Sequence, residues 1–402
     1  MPNHEQRILI IACVVVGVDS ANYSLILPVL PTVLIELGVE GMSEAAVTGG
    51  LLVAAFAVFQ LLFSPLLGAC VDRYGRKPML IGALVVLALD HLVLVFAETV
   101  WVLFIARFLA GIGLAAGIAV SAMVADVTAP ADRARRFALL AAAAGIGFAM
   151  APGVSGLIAQ FGSRAPFVVA AGVTTILLFV TYLTLNETLP KTSRQRIELR
   201  RCLPFVQFKN IDISSQTKKL LIMLFAFEMT VASFVLVWPY FTPYAFGWNV
   251  QMVGLSLSLV GIGMIVTHVV GLPLFQKVAS DGLVLILSMT LAALTLFLLS
   301  STSATEIALA LIVVLALCSI SDPLIYGFLS SSVPLERQGE LQGLCSTVGA
   351  IAALLSPLIF PPLFGWSTDG TRDFPGMALI LGAAFAAFGA VWAFFLDFGK
   401  KQ

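Results

Sequence analysis

Twelve runs of about twenty or more apolar residues follow one another along the 402-residue sequence, and they limit its fold more than any other feature. A bilayer core needs ~20 apolar residues per helix, and because lipid cannot pair free backbone groups, such runs must be helical. Only 11% of the residues are charged, against about 25% in soluble domains. The sequence therefore predicts an all-α membrane protein with twelve spans. The runs cover residues 8–36, 46–69, 78–98, 100–127, 136–161, 165–186, 220–246, 250–274, 282–302, 305–333, 340–365 and 375–397.

Lys and Arg are distributed very unequally between the two sides of the predicted membrane. When the loops are assigned alternately to the two sides, nineteen of the 22 Lys and Arg residues fall on one of them. The other side holds only Arg164 and Arg372, and Arg107 lies inside a span. Because cytoplasmic loops carry the excess of Lys and Arg, we expect a multi-pass protein of the inner (plasma) membrane with both termini in the cytoplasm.

The longest hydrophilic segment divides the spans into six and six. We predict an N-terminal six-helix bundle over residues 1–188, a cytoplasmic linker over 189–219 and a C-terminal six-helix bundle over 220–402. The halves also resemble each other, since LILPVLP in span 1 has a counterpart in LVWPYFTP in span 7. Duplicated halves that hold a substrate between them are the usual plan of secondary transporters.

The stretch GACVDRYGRKPML, from Gly68 to Leu80, concentrates charge between two apolar runs on the predicted cytoplasmic side. Gly75 permits a tight reversal between two helices, and Gly68 lets the second span approach a neighbour closely. Asp72 is suited to accept hydrogen bonds from the free N–H groups of a helix N-terminus. The stretch resembles the loop 2–3 motif of the major facilitator superfamily, G-x-L-A-D-R-x-G-R-K.

This resemblance implies a fold of twelve helices in two pseudo-symmetric six-helix bundles. It also implies that Asp72 caps the start of span 11 and that Arg76 pairs with Asp126 at the end of span 4. Such contacts would hold the two halves together as a conformational latch on the cytoplasmic side. A simpler interpretation, a positive anchor for the loop, explains Arg73 and Lys77 but not Asp72. The predicted latch residues are Gly68, Asp72, Arg73, Gly75, Arg76, Lys77 and Asp126.

Two further stretches resemble motifs of the same superfamily. LFIARFLAGIGLAAG (Leu103–Gly117) is similar to its span 4 motif, and GFAMAPGVSG (Gly147–Gly156) to its span 5 motif of antiporters. Pro152 removes a backbone hydrogen bond and kinks a helix. The resemblance implies that Gly147 and Gly156 let span 5 pack tightly against span 8, so these three residues form a predicted hinge. Because the span 5 motif is typical of exchangers, it favours export.

Within the superfamily the chain resembles the twelve-span drug/proton antiporters, especially the tetracycline/proton exchangers. The stretches that carry this resemblance include LILPVLPTVL in span 1, ALDHLVLVF in span 3 and QGELQGL at the start of span 11. Two positions differ from those exchangers. Thr290 stands near their acidic position in span 9, and His268 does not align with their span 8 histidine. These differences argue against tetracycline itself as the substrate.

Seven Asp, Glu, Arg and His residues fall at membrane depth, away from the ends of the predicted spans, where each charge costs at least ~2.5–3.5 kcal/mol and therefore indicates function. The resemblance implies that spans 1, 4, 7 and 10 line a central cavity. Asp19 is the first candidate for proton coupling, with Asn22 and Tyr23 on the same face of its helix. Alternatively, Asp19 and Arg107 form a fixed ion pair that only braces the helices. The seven residues are Asp19, Asp90, His91, Arg107, Glu228, His268 and Asp322.

The other buried charges allow more than one role. Glu228 is predicted to carry a proton or to hold a cationic substrate. Asp322, which precedes Pro323, is predicted either to face the cavity or to have a structural role. Asp90 is predicted to brace neighbouring helices, and His268 to pack in the helix bundle.

These observations together predict a proton-coupled antiporter that exports a small amphipathic molecule or drug by alternating access. The partners that we expect are the substrate, protons and lipid, with no nucleic acid. We expect a monomer that needs no cofactor or metal and uses the proton gradient as its energy source. One alternative is a transporter of an endogenous metabolite such as a siderophore, in either direction. Another is a non-transporting membrane receptor or scaffold. An enzyme is not expected, because no nucleophile–base pair, metal cluster or phosphate-binding loop stands out.

Overall fold

The computed structural model describes residues 4–130, 132–194, 197, 214–334 and 337–396, and within these ranges it is helical with no strand. Eleven helices are long and apolar enough to cross a membrane, and a twelfth apolar helix is 17 residues long. We number them α1 His4–Glu36, α2 Gly41–Tyr74, α3 Arg76–Val95, α4 Val100–Val127, α5 Arg133–Ile158, α6 Ala165–Thr184, α7 Ser215–Phe246, α8 Val250–Val278, α9 Asp281–Ser301, α10 Thr305–Ser331, α11 Gln338–Ser367 and α12 Met377–Ala393.

The twelve predicted spans are confirmed, because each apolar run coincides with one of these helices. The all-α fold class is confirmed with them. Their ends shift by a few residues, and α2 and α7 extend several residues beyond the apolar runs. The predicted linker 189–219 lies partly outside the described residues, since residues 198–213 are not described.

Contacts divide the chain into two compact units. Unit 1 comprises Met1–Leu37 and Ala55–Lys209, and unit 2 comprises Gly38–Ala54 and Asn210–Gln402. The first part of α2 therefore belongs to unit 2 and the remainder to unit 1. The bundle limits that we predict from the sequence, 1–188 and 220–402, stay a prediction.

In unit 1, the helices pack around a core in which α3 and α4 contribute several fully buried side chains, among them Leu80, Leu84 and Met123. Helices α1 and α5 cross at Gly17 and Gly147. A Cβ atom on Gly147 would overlap the carbonyl group of Gly17. This crossing therefore requires a residue without a side chain at position 147.

In unit 2, α7 is the most buried span and packs between α11 and α12. The first part of α2 packs on the last part of α11 through glycines. A Cβ atom on Gly50 would lie 2.5 Å from the carbonyl oxygen of Pro357, and one on Gly365 would lie 2.7 Å from that of Ser43. The hydroxyl of Ser43 donates to the carbonyl oxygen of Thr368 over 2.6 Å.

Two helices of unit 2 are irregular, and a proline lies just beyond each irregularity. Helix α8 contains a π-helical turn at Thr267–Gly271, shortly before Pro273. Helix α10 is interrupted at Ser319 and Ile320, before Pro323. A proline lacks the N–H that would bond to the carbonyl four residues earlier, so it releases that carbonyl from the helix ladder.

Candidate functional site

The charged stretch between α2 and α3 surrounds one nearly buried guanidinium group. The side chain of Arg76 forms an ion pair with Asp72 one turn earlier. Its Nε atom also lies 3.3 Å from Oδ2 of Asp126, at the end of α4. The pair between Arg76 and Asp126 that the resemblance implies is therefore present, and it ties the start of α3 to the end of α4.

A residue that we did not single out in the sequence completes this cluster. Glu187 follows the end of α6, and its carboxylate accepts hydrogen bonds from the backbone N–H groups of Arg76 over 3.0 Å and Lys77 over 3.3 Å. These two residues open helix α3, where backbone N–H groups lack partners within the helix. An anion is stabilised there by the helix dipole. Glu187 is thus the cap of α3, supplied by another part of the chain.

Two constraints require glycine at position 75, the conformation of the turn and the space beside it. Its φ angle is +108°, a conformation that side chains rarely adopt. A Cβ atom at this position would also overlap the carboxylate of Glu187 and lie 3.0 Å from Nη2 of Arg194. The predicted tight reversal is confirmed, and the same glycine admits the capping carboxylate.

The last turn of α6 and the segment after it each make one more contact with the cluster. The hydroxyl of Thr188 donates to Oδ2 of Asp126 over 2.8 Å. The Nζ atom of Lys77 donates to the carbonyl oxygen of Tyr182 over 2.9 Å. The sequence signal for this segment is NETLP, an acidic residue directly after the sixth apolar run. Its partner could not be known before α3 and α6 were seen side by side.

Two of the predicted latch residues make no contact between helices of unit 1 beyond this cluster. A Cβ atom on Gly68 would meet nothing within 4 Å among the described residues of unit 1, and a close approach to a helix of unit 2 stays a prediction. Asp72 bonds to Arg76 rather than to a free helix end within unit 1. Its predicted contact with span 11 would join the two units and stays a prediction, as does the latch function.

The small residues of α5 pack against α1. Besides the contact between Gly147 and Gly17, the buried hydroxyl of Ser155 donates to the carbonyl oxygen of Leu25 over 2.7 Å. Pro152 lies inside the helix, as predicted. The predicted packing of Gly147 and Gly156 against span 8 would also join the two units and stays a prediction.

Arg107 forms an ion pair with Asp90. Its Nη2 atom lies 3.8 Å from Oδ2 of Asp90, and the side chains of the two residues are 11% and 4% exposed. The alternative of a fixed ion pair between Arg107 and Asp19 is therefore wrong in this structure. Asp90 braces α3 against α4, as predicted. Its second oxygen, Oδ1, is buried and has no hydrogen-bond partner among the described residues.

Asp19 is part-buried and lies beside α4. A Cβ atom on Gly117 would lie 3.8 Å from its Oδ2 atom, so the glycine leaves room for the carboxylate. Asn22 lies one turn further along α1, and its amide donates to the hydroxyl of Thr174 on α6 over 3.4 Å. The ring of Tyr23 stacks on that of Phe148, with centroids 6.3 Å apart. The three residues lie within two turns of α1, but each contacts a different helix.

Unit 2 carries a second group of ionisable side chains. Glu228 lies on α7, and Asp322 and Tyr326 lie on the part of α10 that packs against α7. His268 on α8 places its Nε2 atom 3.0 Å from the carbonyl oxygen of Ser319, which shortly precedes Asp322. Like Asp19, Glu228 and Asp322 make no ion pair with Lys or Arg in the described part of the chain.

None of these clusters has the composition of a metal site. Among the described residues, no three His, Cys, Asp or Glu side chains lie together as metal ligands would. What the clusters have in common is ionisable groups at membrane depth, a feature of substrate and proton pathways.

The sequence matches the family pattern of the Major Facilitator Superfamily over residues 12–357. The chain belongs to this superfamily. The predicted membership of this superfamily is thereby confirmed, and the chain is a multi-pass membrane protein of a transporter family.

Members of the superfamily with known roles match this chain over nearly its whole length. The class H tetracycline resistance protein of Pasteurella multocida is 30% identical over 391 residues, which is 96% of each chain. Multidrug resistance protein 1 of Bacillus subtilis (strain 168) is 29% identical over 90% of each chain. Among solved structures, a D-xylose–proton symporter superimposes with a TM-score of 0.75 over 98% of each chain, at 17% identity. This likeness confirms the superfamily fold.

Proposed function

We propose that this protein is a proton-coupled antiporter that exports a small amphipathic drug by alternating access. Membership of the superfamily establishes a transporter. The finer proposal draws support from the ionisable residues of both units and from relatives that are named for tetracycline and multidrug resistance.

The arrangement of Asp19 carries the proposal. Arg107 is engaged by Asp90, so the carboxyl group of Asp19 is left without a cationic partner in the described part of the chain. Burial favours the neutral form of a carboxyl group, and hydration favours the charged form. Asp19 can therefore take up a proton when its surroundings are dry and release it when water enters, without first breaking an ion pair.

The exchange then follows from this change of protonation. A proton enters from outside and neutralises Asp19, and its release to the cytoplasm leaves a carboxylate near the substrate path. A ligand shifts a conformational equilibrium only by its different affinity for the two states. For exchange, the proton and the substrate must therefore compete for binding to one of the two states. The ion pair of Asp90 and Arg107 braces α3 against α4, the helix that Asp19 faces.

The names of the relatives bear on the class of substrate. Tetracycline and the ligands of multidrug transporters are amphipathic molecules with aromatic parts. In unit 1 the ring of Tyr23, one turn after Asp19 on α1, contacts the rings of Phe56 on α2 and Phe148 on α5. Such rings can stack on a planar ligand. The proposed protein is a monomer in the inner membrane. Both of its termini lie in the cytoplasm, as the distribution of Lys and Arg predicts.

Proton release from inverted membrane vesicles tests this proposal. Tetracycline and ethidium are the probes, and a pH-sensitive dye reports protons that leave the acidified lumen when a probe is added. We expect release with the wild-type protein. In Asp19→Asn, which cannot ionise, release should fall at least tenfold at an unchanged amount of inserted protein.

The matched control is Asp132→Asn, because Asp132 is exposed at the start of α5 and outside the candidate site. This variant should behave as the wild type. Undiminished proton release in Asp19→Asn would remove Asp19 from the mechanism, and no release with either probe in the wild type would count against drug/proton exchange.

A further inference from the structure

The interruption of α10 changes the hydrogen-bond partners of its backbone carbonyls, and that of Ser319 loses its usual donor. In a regular helix the N–H of residue 323 would bond to the carbonyl oxygen of Ser319. Residue 323 is proline, so this bond is missing. The first part of α10 ends at Cys318, and a new helical segment begins at Ser321. We call Ser319–Ile320 the helix 10 break.

His268 supplies the missing donor from a neighbouring helix. Its Nε2 atom lies 3.0 Å from the carbonyl oxygen of Ser319, which also accepts from the N–H of Asp322 over 3.0 Å. Because a carbonyl oxygen only accepts hydrogen bonds, Nε2 must carry the proton. A partly buried carbonyl without a full set of partners is costly, and the imidazole reduces that cost.

The position of His268 depends on the π-helical turn of α8. The N–H of Leu272 bonds to the carbonyl oxygen of Thr267, five residues earlier rather than four. The turn precedes Pro273, which lacks an N–H of its own. Turns of this kind are frequent at functional sites. The hydrogen bond from His268 to Ser319 thus has a proline nearby on each of its two helices. Pro323 removes the usual donor to the carbonyl of Ser319, and Pro273 follows the π-helical turn that carries His268.

A second contact holds the helix 10 break from α9. The hydroxyl groups of Ser288 and Ser321 lie 2.7 Å apart, and both residues are buried. The break is therefore held by α8 on one side and by α9 on the other.

The residue that follows the break is Asp322. It lies on the part of α10 that packs against α7, so the carboxyl groups of Asp322 and Glu228 are on neighbouring helices. The direction in which α10 resumes after the break sets how far apart these carboxyl groups are. A contact that fixes the break therefore also fixes the pair of carboxyl groups.

We propose that His268 is a positioning residue for the carboxyl pair of unit 2. Its Nε2–H binds the carbonyl group that Pro323 deprives of its usual donor, keeps α10 interrupted at Ser319, and thereby holds Asp322 beside Glu228. His268 acts through the backbone of α10 and does not itself carry the transported proton. The effect on transport rests on the proposed function, whereas the hydrogen bond does not.

The protonated nitrogen of His268 can be observed directly. The chain has three histidines, and ¹⁵N NMR of the full-length protein labelled in histidine distinguishes Nδ1–H from Nε2–H. We expect His268 to carry a proton on Nε2, and His268→Gln assigns its signal. His91 is an internal control with the opposite expectation, because its Nδ1 lies 2.6 Å from the carbonyl oxygen of Leu87. A bare Nε2 on His268 would overturn the proposal.

A double-mutant cycle with Pro323→Ala tests whether His268 acts through its hydrogen bond to the carbonyl group of Ser319. His268→Leu should lower the melting temperature by a few degrees and reduce probe efflux at least tenfold. Alanine at position 323 restores an N–H to the helix, so in that background the same change should cost little. Equal costs of His268→Leu in both backgrounds would contradict the proposal.

Two further variants separate positioning from general packing. His268→Gln keeps a side-chain N–H and should restore most of the efflux that His268→Leu loses. Thr267→Val is the matched control on the same turn, since its buried hydroxyl bonds to Gly263 on its own helix, and it should leave efflux unchanged. If His268→Leu fails to fold, the NMR measurement and the comparison of His268→Gln with and without Pro323→Ala still decide the question.

The two proposals can fail separately. If the tautomer and the stability cycle are as expected but neither probe is exported, only the proposed function fails. If export is proton-coupled but the cycle is additive, only the role of His268 fails.

Discussion

At the scale of single residues, the partners of the charged side chains decide what each can do. Arg107 binds Asp90 and leaves Asp19 without a cationic partner among the described residues, so Asp19 is not a fixed brace to Arg107 in this structure. The sequence predicted which residues were buried and ionisable, because charge inside an apolar run is easily seen. It could not predict which of these side chains form ion pairs, since Asp90 and Arg107 come into contact only when α3 and α4 pack together.

Glu187 shows the same limit in a loop. In the sequence it follows the sixth apolar run and has the appearance of an ordinary solvated residue. Its importance lies in the backbone N–H groups of Arg76 and Lys77, which belong to a helix more than a hundred residues earlier. No local pattern contains that information.

We predict that Glu187→Gln destabilises unit 1 by about 1–2 kcal/mol, because it replaces a charged acceptor at a helix N-terminus by a neutral one. Thermal unfolding of the purified protein in detergent measures the change. Glu98→Gln is the control, since Glu98 is an exposed residue of the loop before α4. Equal melting temperatures for the two variants would show that the cap contributes nothing.

At the scale of helices, the sequence was a good guide to position and a poor guide to contacts. The membrane imposes one length on every span, so apolar runs locate the helices to within a few residues. Helix crossings depend instead on where small residues meet, as Gly17 and Gly147 do between α1 and α5. The π-helical turn of α8 and the helix 10 break also lie inside unbroken apolar runs, where hydropathy gives no signal beyond the neighbouring prolines.

We predict that Gly147→Ala weakens the crossing of α1 and α5 by about 1–3 kcal/mol, because the added methyl group overlaps the carbonyl of Gly17 and forces the helices apart. Gly145→Ala is the matched control on the same helix, since a Cβ atom there meets nothing within 4 Å among the described residues. The comparison requires only expression level and melting temperature. Similar values for both variants would mean that α1 and α5 adjust without cost.

At the scale of the whole molecule, the sequence predicts the class of protein from one physical fact. A chain with 11% charged residues and a mean hydropathy of +1.04 cannot cover itself against water, so it must face lipid. Both the superfamily and the fold are confirmed. The substrate could not be predicted in the same way, because an apolar and aromatic lining serves many amphipathic ligands equally.

The charges of the whole molecule bear on the proposed coupling of transport to protons. The carboxyl groups of Asp19 in unit 1 and of Glu228 and Asp322 in unit 2 are left without cationic Lys or Arg partners in the described residues. Unit 1 thus carries one such carboxyl group and unit 2 carries two, and the proposed exchange of protons for substrate rests on them.

Drug uptake into proteoliposomes under an imposed pH gradient tests this account most directly. The purified protein is reconstituted with an acidic interior, and the accumulation of labelled tetracycline or ethidium is measured with and without a protonophore. Protein-free liposomes under the same gradient correct for passive uptake. We expect accumulation above the external concentration that follows the size of the gradient and disappears when the protonophore is added. Simple equilibration at the same rate with and without a gradient would contradict the coupling of protons to transport.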